Sequence, residues 1–401
     1  MSIAIDAVPA ACTRALHAGS LVLRGSPALA SWVLGWLATE LSPHALTGHA
    51  LSALPLPLEQ AACGLAAGRV DTVLRTALQD TFGEDYLTAV HHPLENYTAR
   101  KPTLAGLGKA MRHRKRYAAT TTNISYGPGG SRNLLDVWRR PDLPADQPAP
   151  VLIQIPGGGW SVNSKRGQAY PLMTRMVELG WICVSINYSR SPRNAWPSHI
   201  VDVKRAIAWV RDNIAEFGGD PDFIALTGGS AGGHLSSLAA LTPDDRSLQP
   251  GFEDADTSVQ AAVPFYGVYD LTDHGSLHKL TMPLLERLVI QRRLDENREI
   301  YEAASPRLRA HRDAPPFFIL HGENDLVVPL TQARGFETAL RSAGAATVAY
   351  AEVPDAHHAF DAIGTLRCQL TAEAVAAFLG IVYGRHLAAG AGSATAIRPA
   401  G

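Results

Sequence analysis

The segment Asp222-Phe-Ile-Ala-Leu-Thr-Gly-Gly-Ser-Ala-Gly232 decides how the fold of this chain is interpreted. Its apolar first half predicts a short strand, and an apolar helical run follows its glycines. Small residues on both sides of Ser230 are what a strained turn from strand to helix needs when it holds a serine at the top of a sheet. The segment therefore predicts that Ser230 is a nucleophile. The alternative is a glycine-rich turn that only lets a helix pack close to a strand.

Strand-like segments alternate with helical ones on both sides of this turn, from residue 117 onward. The alternation is typical of strands joined by crossover helices. The predicted strands span residues 120–126, 134–138, 151–155, 182–186, 223–226, 261–265, 317–320 and 348–352. The first two alternate between apolar and polar residues, as antiparallel edge strands do, whereas 151–155 and 317–320 are continuously apolar. The predicted fold class is α/β, with a mostly parallel, doubly wound sheet and antiparallel first strands.

The remaining segments divide the chain into regions. Residues 1–116 are rich in Leu and Ala and are interrupted by prolines, which predicts a helical N-terminal extension separate from an α/β domain at 117–386. Residues 271–303 form a Leu-rich and charge-rich stretch between two predicted strands, which makes them a candidate small cap. The Ala-, Gly- and Ser-rich tail 387–401 is predicted to be disordered.

The end of the extension is strongly basic. Residues 100–117 hold seven Lys or Arg residues and no acidic residue, interleaved with leucines. Two interpretations remain open for this segment. We favour a solvated helix that leads into the next domain, and the alternative is an amphipathic segment that lies on an anionic membrane surface.

Composition excludes several classes of protein. The 401 residues include 36 Lys+Arg and 37 Asp+Glu, a net charge of -1, so no overall field attracts nucleic acid, and we predict no such partner. The four cysteines lie far apart, so neither a disulfide scaffold nor a structural metal site is expected. Residues 1–19 lack the pattern of a secretory signal, and the apolar stretch 25–39 is too short to span a membrane. We therefore expect a cytoplasmic protein, with peripheral contact at a membrane as the alternative.

A serine hydroxyl needs a base to remove its proton and an acid to orient that base. Two segments that follow predicted strands supply candidates. His321-Gly-Glu-Asn-Asp325 follows one strand, and Asp355-Ala-His-His358 follows the last one. Carboxyl ends of parallel strands are where ligands bind in open α/β sheets. The candidates are Asp325 or Glu323 for the acid and His358 or His357 for the base.

The chain order Ser230, Asp325, His358 and the motifs around these residues resemble the α/β-hydrolase esterases, in particular the hormone-sensitive-lipase-like and kynurenine-formamidase-like carboxylesterases. The resemblance covers about residues 118–385 and implies an α/β-hydrolase fold. In that family the aspartate of an H-G-x-x-D motif is the acid of a catalytic triad, and the histidine two residues before a phenylalanine is its base. The resemblance thus implies Ser230, Asp325 and His358 as the triad, with His357 and Glu323 as the alternatives.

The segment Gln154-Ile-Pro-Gly-Gly-Gly-Trp160 resembles the H-G-G-G-W loop of the same family. The resemblance implies that the backbone N–H groups of Gly158, Gly159 and Ala231 form an oxyanion hole. Such preorganised donors stabilise the negative charge that develops on a carbonyl oxygen. The sequence departs from the family at Pro156, where a histidine usually helps to hold the loop.

These motifs predict a serine carboxylic-ester hydrolase that forms an acyl-enzyme on small or medium apolar esters, with a small-molecule ester as its partner and no cofactor. Trp160 and Tyr266 flank predicted strand ends and are candidates either for the lining of an apolar substrate pocket or for core packing. The G-x-S-x-G turn at residues 228–232 is here called the elbow. His234, in the helix after the elbow, is interpreted as structural. Two alternatives remain: an amidase or arylformamidase with the same triad, and a non-catalytic ligand-binding protein on a hydrolase scaffold.

Overall fold

A computed structural model describes residues 56–94, 97–101, 116–118, 121–144, 147–162, 164–243, 245–272, 277, 281–362 and 364–396, with the backbone alone for 56–66 and 391–396. Residues 1–55 and most of the basic segment 100–117 lie outside this range. Peripheral contact with a membrane through the N-terminal extension therefore stays a prediction.

Eight strands in the described part of the chain form one mixed sheet. They are β1 (Ile124–Ser125), β2 (Leu134–Trp138), β3 (Ala149–Ile155), β4 (Ile182–Ile186), β5 (Gly219–Gly229), β6 (Ala261–Phe265), β7 (Phe317–Gly322) and β8 (Val348–Val353). Their order across the sheet is β1-β2-β4-β3-β5-β6-β7-β8. β2 is antiparallel to both of its neighbours, and all other neighbouring pairs are parallel. The predicted fold class is confirmed.

The strands lie where the sequence predicts them, except for the first. β2, β4 and β6 begin and end at the predicted residues, because each is a short run of largely buried side chains. The predicted strand 120–126 is reduced to two residues. Asn123 adopts a φ of 58°, and its N–H donates to the Asp136 side chain instead of to a neighbouring strand. β5 is longer than predicted, because Gly219 already pairs with Ala149 of β3.

Helices cover both faces of the sheet. The described α-helices are α1 (Leu56–Phe82), α2 (Tyr170–Glu178), α3 (Ser198–Asn213), α4 (Ala231–Leu241), α5 (Thr281–Leu284), α6 (Arg298–Ala303), α7 (Leu330–Ser342) and α8 (Leu366–Ala396). α1, α2 and α8 pack on one face, and α3, α4 and α7 pack on the other. In α3, apolar side chains recur every three or four residues and are buried, which is the pattern of a helix with one face on a core.

The described part of the predicted N-terminal extension is not separate from the α/β domain. α1 buries Val70, Leu74 and Leu78 in the same apolar core as Phe318 of β7 and Phe378 of α8. The sequence pattern misses this arrangement because the partners of α1 come from the far end of the chain. The predicted boundary at residue 116 therefore does not divide the described core.

α8 extends to Ala396, well into the segment 387–401 that the sequence predicts to be disordered. Its portion Leu366–Gly390 is long and apolar enough to cross a membrane by length and composition, with a mean hydropathy of 1.3. However, 78% of its most apolar window is buried inside the protein. Packing against α1, α2 and the sheet accounts for this apolar surface, since a helix covered on most sides by a core is apolar on most sides.

The candidate cap lies between β6 and β7 and includes α5, a π-helical turn at Leu285–Val289, and α6. Buried apolar side chains, among them Leu285 and Tyr301, attach it to the face of the sheet that carries α3 and α4. A Cβ on Gly159, in the loop after β3, would lie 4.0 Å from Leu284 Cδ1. The insert is therefore a wall beside the carboxyl end of β3.

Candidate active site

Every candidate residue follows the carboxyl end of a parallel strand. The three glycines at residues 157–159, here called the glycine loop, follow β3; Ser230 follows β5, Tyr266 follows β6, Asp325 follows β7 and His358 follows β8. These five strands are parallel and lie in the order β3-β5-β6-β7-β8. Their carboxyl ends meet at one edge of the sheet, which is where ligands bind in this class of fold.

Ser230 occupies a strained turn between β5 and α4. Its φ of 57° and ψ of -120° form a conformation that a residue with a side chain keeps only when its surroundings hold it. Its N–H donates to Phe265 O at 2.9 Å. A Cβ on Gly228 would lie 2.5 Å from Ile155 O, and one on Gly232 would lie 2.1 Å from the same atom. The G-x-S-x-G pattern thus allows the start of α4 to approach β3 and leaves the serine partly exposed.

The glycine loop lies directly against Ser230. A Cβ on Gly157 would be 3.3 Å from Ser230 Cβ. Gly158 has a φ of 114°, and a Cβ there would lie 2.1 Å from Val162 O, so only glycine fits. The loop therefore needs three small residues for two reasons, namely its backbone conformation and its contact with the elbow.

Three backbone N–H groups at this point have no acceptor in the part of the chain that the structure describes. The Gly157 N–H is not among them, because it donates to Gln168 Oε1 at 2.7 Å. Within the described residues, no acceptor takes the N–H of Gly158 or of Gly159. Ala231 is the first residue of α4, and the first N–H groups of a helix have no partner inside it. Gly158, Gly159 and Ala231 are the residues that the family resemblance implies for the oxyanion hole.

Gln168 and Tyr188 hold the glycine loop where the sequence departs from the family. The Tyr188 hydroxyl donates to Pro156 O at 2.8 Å, and Gln168 accepts from the next residue. These bonds hold the backbone on both sides of the Pro156 carbonyl, and the proline side chain itself cannot hydrogen-bond. Neither residue was assigned a role from the sequence. Both bond to backbone groups, which require no particular side chain at the partner position.

Asp325 and His358 form a buried hydrogen-bonded pair. His358 Nδ1 lies 2.7 Å from Asp325 Oδ2, with side chains that are 7% and 0% exposed. Asp325 Oδ1 accepts two further hydrogen bonds, from the N–H groups of Val327 at 2.8 Å and Val328 at 2.9 Å. With the carboxylate on Nδ1, the neutral imidazole keeps Nε2 without a proton, which is the tautomer of a general base.

His321 is a second histidine beside the same carboxylate, and no role was predicted for it from the sequence. Its Nε2 donates to Val328 O at 2.9 Å and lies 3.4 Å from Asp325 Oδ2. Burial alone would raise the pKa of Asp325, but His358 and His321 outweigh it and hold that pKa well below its usual range. Asp325 is therefore ionised at neutral pH. The alternative acid, Glu323, is exposed and accepts from the Asp355 N–H instead.

Tyr266 lies between the elbow and His358. Its ring centroid is 4.5 Å from that of His358, its hydroxyl donates to Asp361 Oδ1, and a Cβ on Gly229 would lie 2.5 Å from its hydroxyl oxygen. Burial, followed by the charge of Asp361, raises the pKa of Tyr266 well above its ordinary value, so the phenol remains a donor. Tyr266 and Trp160 are both buried. The structure gives them supporting positions around the site, and their contact with substrate stays a prediction.

Apolar side chains are exposed around this edge of the sheet. Val162 follows the glycine loop and is 78% exposed, Leu326 follows Asp325 and is 50% exposed, and Leu288 of the insert is 37% exposed. Leu284 stands next to Gly159. Across the described ranges, no three His, Cys, Asp or Glu side chains cluster so as to hold a metal ion.

Several known proteins are similar in sequence to this chain. The BD-FAE family matches residues 135–340 of this chain. Esterase LipQ of Mycobacterium tuberculosis is 57% identical over 94% of this chain and 90% of its own length. The probable carboxylic ester hydrolase LipM of the same organism is 48% identical over 99% of this chain and 96% of its own length.

Solved structures show the same architecture. Esterase 2 of Thermogutta terrifontis, phosphonylated by sarin, is 28% identical with a TM-score of 0.52 and covers 60% of this chain and 86% of its own. A second structure of that esterase holds propionate. The mixed sheet, the serine elbow and the buried acid–histidine pair define an α/β-hydrolase. Within that class, the chain belongs to the BD-FAE family of hormone-sensitive-lipase-like esterases. The formamidase side of the resemblance stays a prediction.

Proposed function

We propose that this protein is a serine carboxylic-ester hydrolase that acts through an acyl-enzyme on small or medium apolar esters. Its membership of an esterase family supports the ester-hydrolase class. The observation that carries the finer proposal is the buried hydrogen bond between His358 and Asp325, at the same sheet edge as the strained Ser230. An acid, a base and an activated serine at one point are what nucleophilic catalysis of this kind requires.

In the acylation step, His358 Nε2 accepts the proton of Ser230 Oγ while Oγ bonds to the ester carbonyl carbon. Asp325 stabilises the imidazolium that results. The carbonyl oxygen becomes an oxyanion, and the three N–H groups of the glycine loop and α4 donate to it. When the tetrahedral intermediate collapses, the bond to the alcohol oxygen breaks, the alcohol takes the proton from His358, and the acyl group remains on Ser230.

In the deacylation step, water replaces the alcohol. His358 removes a proton from the water as the oxygen attacks the acyl carbonyl, and the same N–H groups hold the second oxyanion. Collapse breaks the bond to Ser230 Oγ, which recovers its proton from His358. The products are a carboxylic acid and the free enzyme, so no cofactor is consumed.

The preference for apolar esters rests on the exposed side chains at the edge of the site. Val162, Leu288 and Leu326 would shield an acyl or alcohol group from water, and Leu284 limits the space beside Gly159. Burial of apolar groups contributes about 0.8 kcal/mol for each CH₂. A series of nitrophenyl esters should therefore show kcat/KM rising with chain length and then falling once the acyl group exceeds the available space.

The decisive experiment is Ser230→Ala, assayed with nitrophenyl butyrate and with a fluorophosphonate probe. We expect a loss of activity of about 10⁴-fold or more, since the nucleophile is removed, together with loss of covalent labelling. Ser237→Ala is the matched control, because this serine is also in the elbow helix and its hydroxyl donates to Gly233 O at 2.8 Å. Full activity in Ser230→Ala would disprove the proposed nucleophile. A wild type that neither hydrolyses the ester nor reacts with the probe would instead favour a binding protein on a hydrolase scaffold.

An amidase or arylformamidase is the second candidate, because the elbow Ser230-Ala-Gly-Gly-His-Leu235 resembles formamidase-like enzymes. The same triad cleaves both kinds of bond, so the two functions differ in which leaving group the site accepts. Turnover of an aryl ester should be compared with that of the matching aryl formamide. A higher kcat/KM for the formamide would favour this candidate over the ester hydrolase.

A further inference from the structure

His234 joins three separate elements through its imidazole. It lies on the first turn of α4, and its side chain is fully buried. Trp160 Nε1 donates to its Nδ1 at 3.2 Å, and its Nε2 donates to Ala304 O, at the end of α6, at 2.7 Å. The rings of Trp160 and Trp196 both meet the imidazole edge to face. The elbow helix, the segment after the glycine loop and the insert therefore share one side chain.

The two hydrogen bonds define the state of the ring. A nitrogen that accepts from an indole carries no proton, and one that faces a carbonyl carries one, so His234 is the neutral Nε2–H tautomer. Burial lowers the pKa of His234 to about 4, while the bond to Ala304 opposes that effect. The imidazole is uncharged under ordinary assay conditions. It serves as a fixed connector, because both of its nitrogens are already occupied.

The glycine loop needs such a connector because of its backbone conformation. Gly158, Gly159 and Trp160 are consecutive residues with φ of 114°, 56° and 55°. For a residue with a side chain, this region costs about 1–3 kcal/mol and persists only when surrounding contacts enforce it. The indole bond to His234 is one such contact, and a hydrogen bond from the Ser191 N–H to Trp160 O at 2.9 Å is another.

We propose that His234 is a positioning residue that sets the two parts of the oxyanion hole relative to each other. One part is the glycine loop, which His234 holds through Trp160. The other is the start of α4 at Ala231, to which His234 is tied by its own helical bond from N–H to Ser230 O at 2.9 Å. The inference rests on the proposed function, because it concerns the same oxyanion. His234 itself does not reach the substrate, since its side chain is buried.

Replacing His234 by Asn or by Gln tests its two side-chain hydrogen bonds separately. The carbonyl oxygen of Asn stands close to the place of Nδ1, and the amide nitrogen of Gln reaches close to the place of Nε2. His234→Asn should keep the acceptor for Trp160 and lose the bond to Ala304, whereas His234→Gln should do the reverse. We expect kcat within about threefold of wild type for the Asn variant. For the Gln variant we expect kcat lower by about 10- to 100-fold with little change in KM, because misplaced donors weaken only the transition state.

Trp160→Phe tests the same bond from the other side. It removes the indole donor and keeps an aromatic ring in place, so kcat should fall as it does in His234→Gln, and the double variant should lose little more. The serine oxygen adds to the carbonyl carbon of a trifluoromethyl ketone, and the carbonyl oxygen becomes an oxyanion. The affinity for such a ketone should therefore weaken by the same factor as kcat/KM. A purely structural role would change thermal stability without changing this affinity in parallel.

The chain contains a matched control on the other face of the sheet. Trp181 Nε1 donates to His92 Nδ1 at 3.0 Å, His92 is buried, and burial lowers its pKa to about 3. This pair makes the same indole-to-imidazole hydrogen bond as Trp160 and His234. Its other described ring contacts are with Tyr97, Phe223 and Tyr383, none of which is a candidate site residue. His92→Gln should therefore lower the melting temperature while kcat and ketone affinity remain at the wild-type level.

The outcomes are distinct. Wild-type kcat and ketone affinity in folded His234→Gln and Trp160→Phe would overturn the positioning role, as would an Asn variant as slow as the Gln variant. If His234→Gln does not fold, Trp160→Phe decides the question. Failure of the proposed function itself would be recognised separately, as full activity in Ser230→Ala.

Discussion

Both carboxylate oxygens of Asp325 are fully used. Oδ2 faces two histidines, His358 and His321, and Oδ1 accepts hydrogen bonds from two backbone N–H groups. A buried charge is stable only when its acceptor capacity is satisfied in this way. The arrangement has two consequences that can be measured. Asp325 determines the tautomer of His358, and the hydrogen-bond donors around Asp325 lower the pKa of its carboxyl group.

Asp325→Asn should reduce kcat by about 10⁴-fold while the protein stays folded, the loss expected when the tautomer of a triad histidine is reversed. The Asn amide would donate to His358 Nδ1 and force the proton onto Nε2, so the base could not accept from Ser230. Glu323→Gln is the control, because Glu323 is the alternative acid on the same loop. Loss of activity in Glu323→Gln with retention in Asp325→Asn would show that the acid is Glu323.

The difference in stability between wild type and Asp325→Asn should depend on pH. The pKa of Asp325 is lower in the folded protein than the value of about 3.9 in an unfolded chain. Its ionised form therefore stabilises the fold above about pH 4, and this contribution is lost as the pH falls through the folded pKa. Urea unfolding of wild type and Asp325→Asn should differ most at pH 7 and converge as the pH falls below 4. A difference that is constant with pH would contradict the account.

At the scale of elements, close approach of α4 to β3 depends on the absence of side chains. The chain turns from β5 into α4 at Ser230. Gly232, in the first turn of α4, lies against the carbonyl of Ile155, the last residue of β3. The same approach puts the Ala231 N–H next to the glycine loop. A local constraint on one helix start thus determines where an anion can bind.

Gly232→Ala should destabilise the protein by about 3 kcal/mol and abolish activity, because its Cβ would lie 2.1 Å from Ile155 O, a backbone atom that cannot move aside. Gly68→Ala in α1 is the matched change, since no atom of the described residues would lie within 4 Å of the added Cβ. In that variant a helix should gain about 0.5–1 kcal/mol. Thermal unfolding measures the stability of both variants, and nitrophenyl ester turnover measures their activity. Equal effects of the two substitutions would show that space at the elbow is not the cause.

At the scale of the whole molecule, the first and last described helices share one core with the sheet. α1 packs on β8 and α8, and a buried ion pair between Arg175 of α2 and Glu373 of α8 lies on the same face. The site is on the carboxyl edge of that sheet. Stability of the edge therefore depends on helices that contribute no residue to it.

Leu78→Ala should lower the free energy of unfolding of the entire protein by about 2–5 kcal/mol, because its side chain is buried in the shared core. Thr76→Ala, on the exposed side of the same helix, is the control and should change it little. Loss of tryptophan fluorescence and of esterase activity should follow a single, lower melting transition in Leu78→Ala. If activity melted at the wild-type temperature while α1 unfolded earlier, α1 would be a separate unit after all.

Local patterns predicted most of the fold. β2, β4 and β6 were predicted to the residue, because β2 alternates between apolar and polar residues and β4 and β6 are short, largely apolar runs, patterns that need no distant partner. The first strand was predicted too long, because the bond from the Asn123 N–H to Asp136 is invisible in a local pattern. The joining of α1 to the core was missed for the same reason. Its partners come from β8 and α8, and contacts between distant segments leave no periodic signal.

The sequence by itself determined the fold class, the strand that ends at the elbow and the chain order of Ser230, Asp325 and His358, because each depends on residue type and spacing along the chain. Only the tertiary structure showed that His358 faces Asp325, that Gln168 and Tyr188 hold the glycine loop, and that His234 joins this loop to the elbow helix. Those contacts join segments that are far apart in the chain, and a hydrogen bond to a backbone group places no constraint on the sequence of its acceptor.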